Sequence, residues 1–378
     1  MTPLDIAFVL FPLWLYLAGA VAAALGFARR RAGTADRKPA VSVLKPLHGD
    51  EPGLHDNLLS FLDQDYPSVQ IVFGVRSPAD RAVPVARAVM AERPSADTDL
   101  VVNTGARGTN LKVANLENML PTARHDLLVM ADADMRVEPT YLAAVVAPFE
   151  DDRIGLVTCL YKGVSSGGLW SRLGTLQINY GFLPSALVGD AMGVGDGCFG
   201  ATIALKREML DRIGGLARLR NELADDHRIG DAVRAQGARV ALAPYLVENR
   251  VAEPSLRALW RHELRWARTV RAMTPLGFAG SIITHPVPVA ALLAVFSGFS
   301  EWGCGFLLAT FMLRAAMAAA VARTLNLSTE GLWLLPLRDA LSFAVFIGSF
   351  CGRSVAWRDQ LFRVDAGGRM SADGDRPT

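Results

Sequence analysis

Residues 6–28 carry no charged side chain, and this run constrains the chain more than any other feature. As a helix, its 23 residues extend about 34 Å at 1.5 Å per residue, against a bilayer hydrocarbon core of about 30 Å. The run is therefore long enough to span a membrane. A signal peptide has the opposite layout: a basic start, a short apolar run and a small-residue cleavage site. Here Asp5 precedes the run, and Arg29, Arg30 and Arg31 follow it. The expectation is an uncleaved anchor over residues 1–31, with the positive-inside bias placing the rest of the chain in the cytoplasm.

The whole chain agrees with a membrane-associated reading. Of its 378 residues, 51% are hydrophobic and 20% charged, below the usual charged share of about 25%; its mean hydropathy is +0.25. At about 150 residues per domain this length holds two to three domains. Lys and Arg total 39 against 37 for Asp and Glu, a net charge of +2. That balance argues against nucleic acid as a partner, because neutralising phosphates requires a basic excess. Cys159, Cys198, Cys304 and Cys351 are scattered without CxxC spacing, which fits neither a disulfide framework nor a zinc site.

After a polar linker over 34–39, short apolar runs alternate with amphipathic stretches, the pattern of an α/β domain. Strands are expected at 41–44, 69–75, 100–102, 127–131, 155–160, 202–205 and 240–243. Helices are expected at 54–62, 83–92, 112–120, 139–149 and 208–213, the last stopped by Gly214 and Gly215. The expected domain covers 32–281. Membrane helices follow over 282–352: residues 286–313 contain only Glu301 as a charge, and 332–350 are apolar except for Arg338 and Asp339. That last stretch reads either as a span carrying a paired charge or as a helix lying in the interface. Arg353, Arg358 and Arg363 favour a cytoplasmic tail over 353–378.

Candidate chemistry sits at strand ends, where open α/β sheets bind ligands. Asp132-Ala133-Asp134 follows the apolar run LLVMA. Two acids there can hold Mg²⁺ or Mn²⁺, which neutralises a diphosphate; the competing reading is a chance string that caps the next helix. Asp80, after QIVFGV, can accept from a ribose or base N–H, or merely cap a turn. The loop over 105–112 offers glycines and the cations Arg107 and Lys112, but lacks the Gly-Lys-Ser/Thr of a Walker loop. Asp225 and Asp226 follow a polar loop, as a candidate base or as a solvated helix start. The stretch 260–268 alternates Trp and Arg on an expected interfacial helix over 255–271.

Taken in order, Asp80, Asp132-Ala133-Asp134, Asp226 and His262-Glu263-Leu264-Arg265-Trp266 resemble the D, DxD, D, (Q/R)xxRW series of membrane glycosyltransferases of family 2 and of the ceramide glucosyltransferase family (family 21). VSVLKPLHGDEPGL, FLDQDYP, GTNLKVANL, CFGATIALKREMLDRIGGL and ELADDHRIG extend the similarity over residues 41–274. Within that group, VTCLYKG, GGLWSRLG and LWRHELRWARTVRA are most similar to the bacterial hopanoid-biosynthesis glycosyltransferases.

The resemblance implies a GT-A, Rossmann-like nucleotide-diphospho-sugar transferase domain between an N-terminal transmembrane helix and C-terminal membrane helices. It implies that Asp80 contacts the nucleotide, that Asp132 and Asp134 engage the donor diphosphate through Mg²⁺ or Mn²⁺, and that Asp226 is the general base. Arg265 and Trp266 would close over donor phosphate and acceptor, with Lys112 as a further phosphate contact. His262 departs from the family's Gln or Arg, while Asp134 is an acid that ceramide glucosyltransferases can lack.

The implied activity is inverting transfer from a UDP-sugar, UDP-N-acetylglucosamine, to the hydroxyl of a membrane lipid, a hopanoid polyol such as bacteriohopanetetrol. The implied location is the bacterial inner membrane, multi-pass, with the catalytic domain in the cytoplasm. The alternatives are UDP-glucose transfer to ceramide or diacylglycerol, a processive polysaccharide synthase, and a non-catalytic scaffold.

Overall fold

The computed structural model describes residues 2–30, 38–194 and 197–352, with the backbone alone of 354–357, 360–364 and 370–372. Most of the 34–39 linker, and Arg31, Arg353, Arg358 and the side chain of Arg363, lie outside the described residues.

Eight strands form one mixed sheet: β1 Val41–Pro46, β2 Val69–Val75, β3 Asp97–Val102, β4 Leu127–Met130, β5 Met135–Arg136, β6 Ile154–Ser165, β7 Ile203–Lys206 and β8 Arg239–Val251, in the order β3-β2-β1-β4-β7-β6-β8-β5. β3, β2, β1 and β4 run parallel, β7 runs antiparallel between β4 and β6, and β6 pairs with β8 in parallel. β1 and β4 are buried on both faces, as expected for strands covered by helices on either side.

The helices of this region are α2 Leu54–Leu62, α3 Ala82–Glu92, α4 Leu111–Met119, α5 Tyr141–Val146, α6 Leu169–Gln177, α7 Leu183–Ala191, α8 Arg207–Arg212 and α9 Asp225–Ala235, all following α1 Pro3–Ala28. One core lies between the sheet and α2, α3 and α5. A second lies on the other face under α4, α8 and α9.

The expected strands all form, β2 with the expected ends and the others with different ones. β6 and β8 run well past the apolar runs that announce them, to Ser165 and Val251. Their second halves hold Lys162, Glu248, Asn249 and Arg250, so hydropathy alone hides them. Pro244 lies where the β6–β8 register slips, between Thr158↔Leu242 and Leu160↔Leu246, a place where its missing N–H leaves no ladder bond unmade. The expected helix over 139–149 is shorter, α5 continuing as a 3₁₀ turn over Ala147–Glu150.

α10 Leu256–Met273, α11 Pro275–Gly280, α12 Pro286–Phe296, α13 Glu301–Leu325 and α14 Leu335–Ser349 complete the helices, and β9 Ser354–Trp357, β10 Gln360–Val364 and β11 Met370–Ala372 form a small separate sheet. By length and composition Pro3–Ala28, Glu301–Leu325 and Leu332–Ser349 can each cross a membrane, and the pair Pro275–Thr284 and Pro286–Phe296, bent by 73°, makes up to a fourth.

The apolar zone over 286–313 is not continuous. It breaks at Gly298 and Phe299, both at positive φ, and restarts where Ser300 caps α13. Arg338 and Asp339 are charged partners of other helices rather than of each other: Arg338 pairs with Glu263, and Asp339 with Arg314.

α1 does more than tether the chain. Its Tyr16, Leu17, Ala20 and Ala24 are buried in a third core shared with α6, α7, α13 and α14, which reaches the sheet at Leu160. Trp14 Nε1 donates to Thr310 Oγ1 at 2.9 Å, and Tyr16 pairs with Ser185 at 2.8 Å. The opposite face exposes Leu4, Phe8, Phe11 and Leu15.

Candidate active site

The site is built where β1, β2 and β4 end. Lys45, near the end of β1, is fully buried, with its ammonium over the Phe61 ring at 3.8 Å and donating to the Asp132 carbonyl. Burial draws Lys45 down to about 7, against the pull of Asp134 and Asp132. β4 delivers Asp132, whose Oδ1 lies 2.6 Å from Lys112 Nζ.

Lys112 occupies the first turn of α4. Asn110 caps that helix, accepting from the N–H groups of Lys112 and Val113 and donating to the Glu222 carbonyl and to Asp225 Oδ1. The cap thereby locks the start of α4 to the start of α9. Burial opposes the charge on Lys112, yet Asp132, Asp225 and Asp226 together hold its ammonium above the usual range.

Asp226, in the first turn of α9, accepts from Gly200 N at 3.0 Å and from His227 N at 2.8 Å. Burial first, then Asp225, pushes its carboxyl up to about 6. Gly200 is the pivot of the cluster: a Cβ on it would lie 3.2 Å from Asp132 Oδ2, 3.3 Å from Asp226 Oδ2 and 3.4 Å from Lys112 Nζ. Residues 112, 132 and 226 thus converge around one bare backbone.

Asp134 is held by a different partner. Its Oδ2 accepts from Asn249 Nδ2 at 2.7 Å, and burial followed by the charge of Asp132 raises its pKa. Neither acid caps the next helix, whose N-terminal flank is Thr140. Asp134, Asn249, Glu51, His262 and Trp266, with Ile178 and Leu259, line a cavity of about 180 Å³.

The His262 and Trp266 rings lie 4.3 Å apart, and His262 Nδ1 is 2.7 Å from Glu253 Oε1. Ile178 opens a π-helical turn over Ile178–Phe182, the kind of widened turn often found at functional sites. The half-buried Tyr161 phenol is pushed up by desolvation, then by Asp134, Asp226 and Asp132, while Arg265 pulls it back. Arg265 therefore acts on the same neighbourhood as the three acids.

Asp80 stands apart from that cluster, across β1. Its Oδ1 accepts from Gly49 N at 2.8 Å and Ala82 N at 2.9 Å, and its Oδ2 lies 3.3 Å from His48 Nδ1. It holds the loop after β1 against the start of α3, with its side chain only 7% exposed. Lys45, Gly200, Asn249 and Glu253 escaped the sequence reading. The one signal was for Lys45, a lone cation closing an apolar strand.

The acids suit a divalent cation shared with a substrate. Among the described residues no group of three or more His, Cys, Asp or Glu could cage a metal. Asp132 and Asp134 give two carboxylates, the second destabilised by the first. A cation relieves that repulsion, and Mg²⁺ in particular is commonly held by one or two carboxylates plus substrate phosphates.

The profile of glycosyl transferase family 21 matches residues 9–370. The chain belongs to that family. This family 21 glycosyltransferase is 22% identical over 343 residues to ceramide glucosyltransferase 1 of Caenorhabditis elegans, covering 88% of this chain and 73% of the relative. It is 31% identical over 101 residues to the ceramide glucosyltransferase of Komagataella phaffii strain GS115, covering 26% of this chain and 20% of that one. In fold it is similar to the mannosyltransferase PcManGT from Pyrobaculum calidifontis, solved in complex with GDP-Man and Mn²⁺, with a TM-score of 0.52, 20% identity and coverage of 93% of this chain and 99% of that one. The fold is of the GT-A type, and the apolar helices mark this glycosyltransferase as membrane-associated.

Proposed function

We propose that this glycosyltransferase moves N-acetylglucosamine from UDP-N-acetylglucosamine to a hydroxyl of a membrane lipid, a hopanoid polyol, with inversion. The observation that carries the transfer chemistry is the convergence of Asp132, Asp226 and Lys112 around Gly200. Asp226, with its carboxyl near 6, is a base able to take the acceptor's proton near neutral pH. Lys112 and Arg265 hold the diphosphate, Asp80 contacts the nucleotide, and Trp266 covers donor and acceptor. Asp132 and Asp134 would hold Mg²⁺ or Mn²⁺, which when bound offsets the charge that develops on UDP. Deprotonation by Asp226 as the hydroxyl attacks the anomeric carbon makes this a single displacement with inverted product.

The lipid acceptor is favoured by α10, whose Trp260, His262 and Trp266 stand on one helix beside the apolar zone, and by the exposed apolar faces of α1, α12 and α13. The same layout supports a catalytic domain over 32–281 on the cytoplasmic face of a bacterial inner membrane, with α1 as its first crossing. A second reading is glucose transfer from UDP-glucose to ceramide, favoured by the relatives' names and by the 88% of this chain that aligns with one of them.

The test is label transfer in membranes containing the full chain, offering each UDP-sugar separately with a hopanoid polyol, ceramide or diacylglycerol. Label from UDP-N-acetylglucosamine on the hopanoid, abolished by EDTA and restored by Mn²⁺ or Mg²⁺, is the expected result. Glucose on ceramide moves the assignment to the second reading, and no labelled lipid from either donor overturns both.

A further inference from the structure

Among the described residues the largest fully buried side chain is a charge: Arg338, in the first turn of α14, is 1% exposed. Its guanidinium grips Glu263 of α10 with both prongs, at 2.7 Å and 2.8 Å. The same group donates to the Leu173 carbonyl of α6 at 3.3 Å and to Ser342 Oγ at 3.0 Å, and Ser342 donates in turn to Gln177 Oε1 of α6. A planar fork meeting a carboxylate in this way fixes direction as well as distance.

Glu263 lies inside the His262–Trp266 segment, two residues before Arg265 and three before Trp266, and it lines the cavity beside both His262 and Trp266. α6 packs tightly beneath: a Cβ on Gly174 would meet Val251 at 2.9 Å and Leu259 at 3.3 Å. Arg338 is therefore the junction of α14, α10 and α6 under the cavity floor.

We propose that Arg338 is a positioning residue for sugar transfer, clamping through Glu263 the turn of α10 that carries Arg265 and Trp266. The clamp makes the catalytic segment competent only when the last apolar helix is seated against it. This rests on the transfer reading, in which Arg265 and Trp266 close on the donor. A buried pair of this kind is poor evidence of stabilisation, since apolar residues of similar volume often replace one at no loss. Its value here is angular: Arg268 and Arg271 hold the later turns of α10 to the Cys351 and Gly352 carbonyls, whereas the pair sets the roll of the turn at Glu263.

The test uses the full chain in lipid nanodiscs and compares wild type, Arg338→Lys, Glu263→Gln and the double variant Glu263→Leu/Arg338→Met. The double variant leaves neither charge stranded, so it is expected to melt within a few degrees of wild type. Its kcat is expected to fall at least tenfold while KM for the UDP-sugar changes less than threefold. Amide hydrogens over 262–271 are expected to exchange faster, with those of β1 and β4 unchanged. Arg338→Lys is expected to recover only part of the kcat, since an ammonium cannot reproduce the fork.

Wild-type kcat and unaltered exchange over 262–271 in a stably folded double variant overturn the clamp while leaving the transfer reading intact. A wild-type chain that releases no UDP with any lipid acceptor overturns the transfer reading, and with it the clamp's purpose.

Discussion

At the scale of single residues, the site is a set of charges kept where water cannot fully relax them. Asp226 shows the consequence. Its carboxyl stands near 6 against an ordinary 3.8, from burial and then Asp225, so ionising it opposes folding. Folded wild type loses that stability as pH rises from about 4 through 6, whereas Asp226→Asn, which cannot ionise, does not. Asp226→Asn is thus expected to melt higher than wild type at pH 7–8, by about 1–3 kcal/mol in unfolding free energy, while its kcat falls by roughly 10²–10⁴. Calorimetry and turnover on the same preparation check both, and the wild-type kcat profile is expected to rise through about pH 6. Gly200→Ala tests the convergence itself. The added methyl meets two carboxylates and an ammonium at 3.2–3.4 Å, so kcat is expected to drop tenfold or more with little change in melting temperature.

At the scale of elements, helix starts do the positioning. Asn110 caps α4 and also reaches the α9 loop through Glu222 and Asp225. Asn110→Ala is expected to cost about 1–2 kcal/mol and to raise KM for the donor, because Lys112 and Asp226 lose their common tie; denaturant titration and steady-state kinetics read the two effects. The acids after β2, β4 and the 221–224 loop were legible because a strand that ends in a carboxylate announces itself in one dimension. Lys45 and Asn249 were not: each is chemically ordinary until β1 and β8 bring it beside Asp132 and Asp134. The second half of β8 was equally hidden, since its mixed polar and apolar residues suit a strand only once β6 lies alongside.

At the scale of the whole molecule, the membrane helices and the sheet share one core. α1 buries Tyr16, Leu17, Ala20 and Ala24 against α7 and α13 and bonds them through Trp14 and Tyr16. Replacing residues 3–28 with an unrelated apolar helix of equal length is expected to keep the chain in the membrane but to lower its melting temperature by several degrees and to reduce transfer. Equal stability and activity in such a chimera, read by calorimetry and label transfer, count against the shared core.

The amino-acid sequence determined what depends on near neighbours: an uncharged run long enough to cross a bilayer, alternating elements of an α/β domain, and acids at strand ends in an order that resembles a known family. Tertiary structure alone decided which charges meet. Arg338 and Asp339 are adjacent in the chain, yet one pairs with Glu263, 75 residues away, and the other with Arg314, 25 residues away. Hydropathy and periodicity are properties of a segment, whereas the partner of a buried charge is set by which helix faces it. That choice is made only when distant elements pack, because a buried charge must find its counter-charge wherever the fold has placed it.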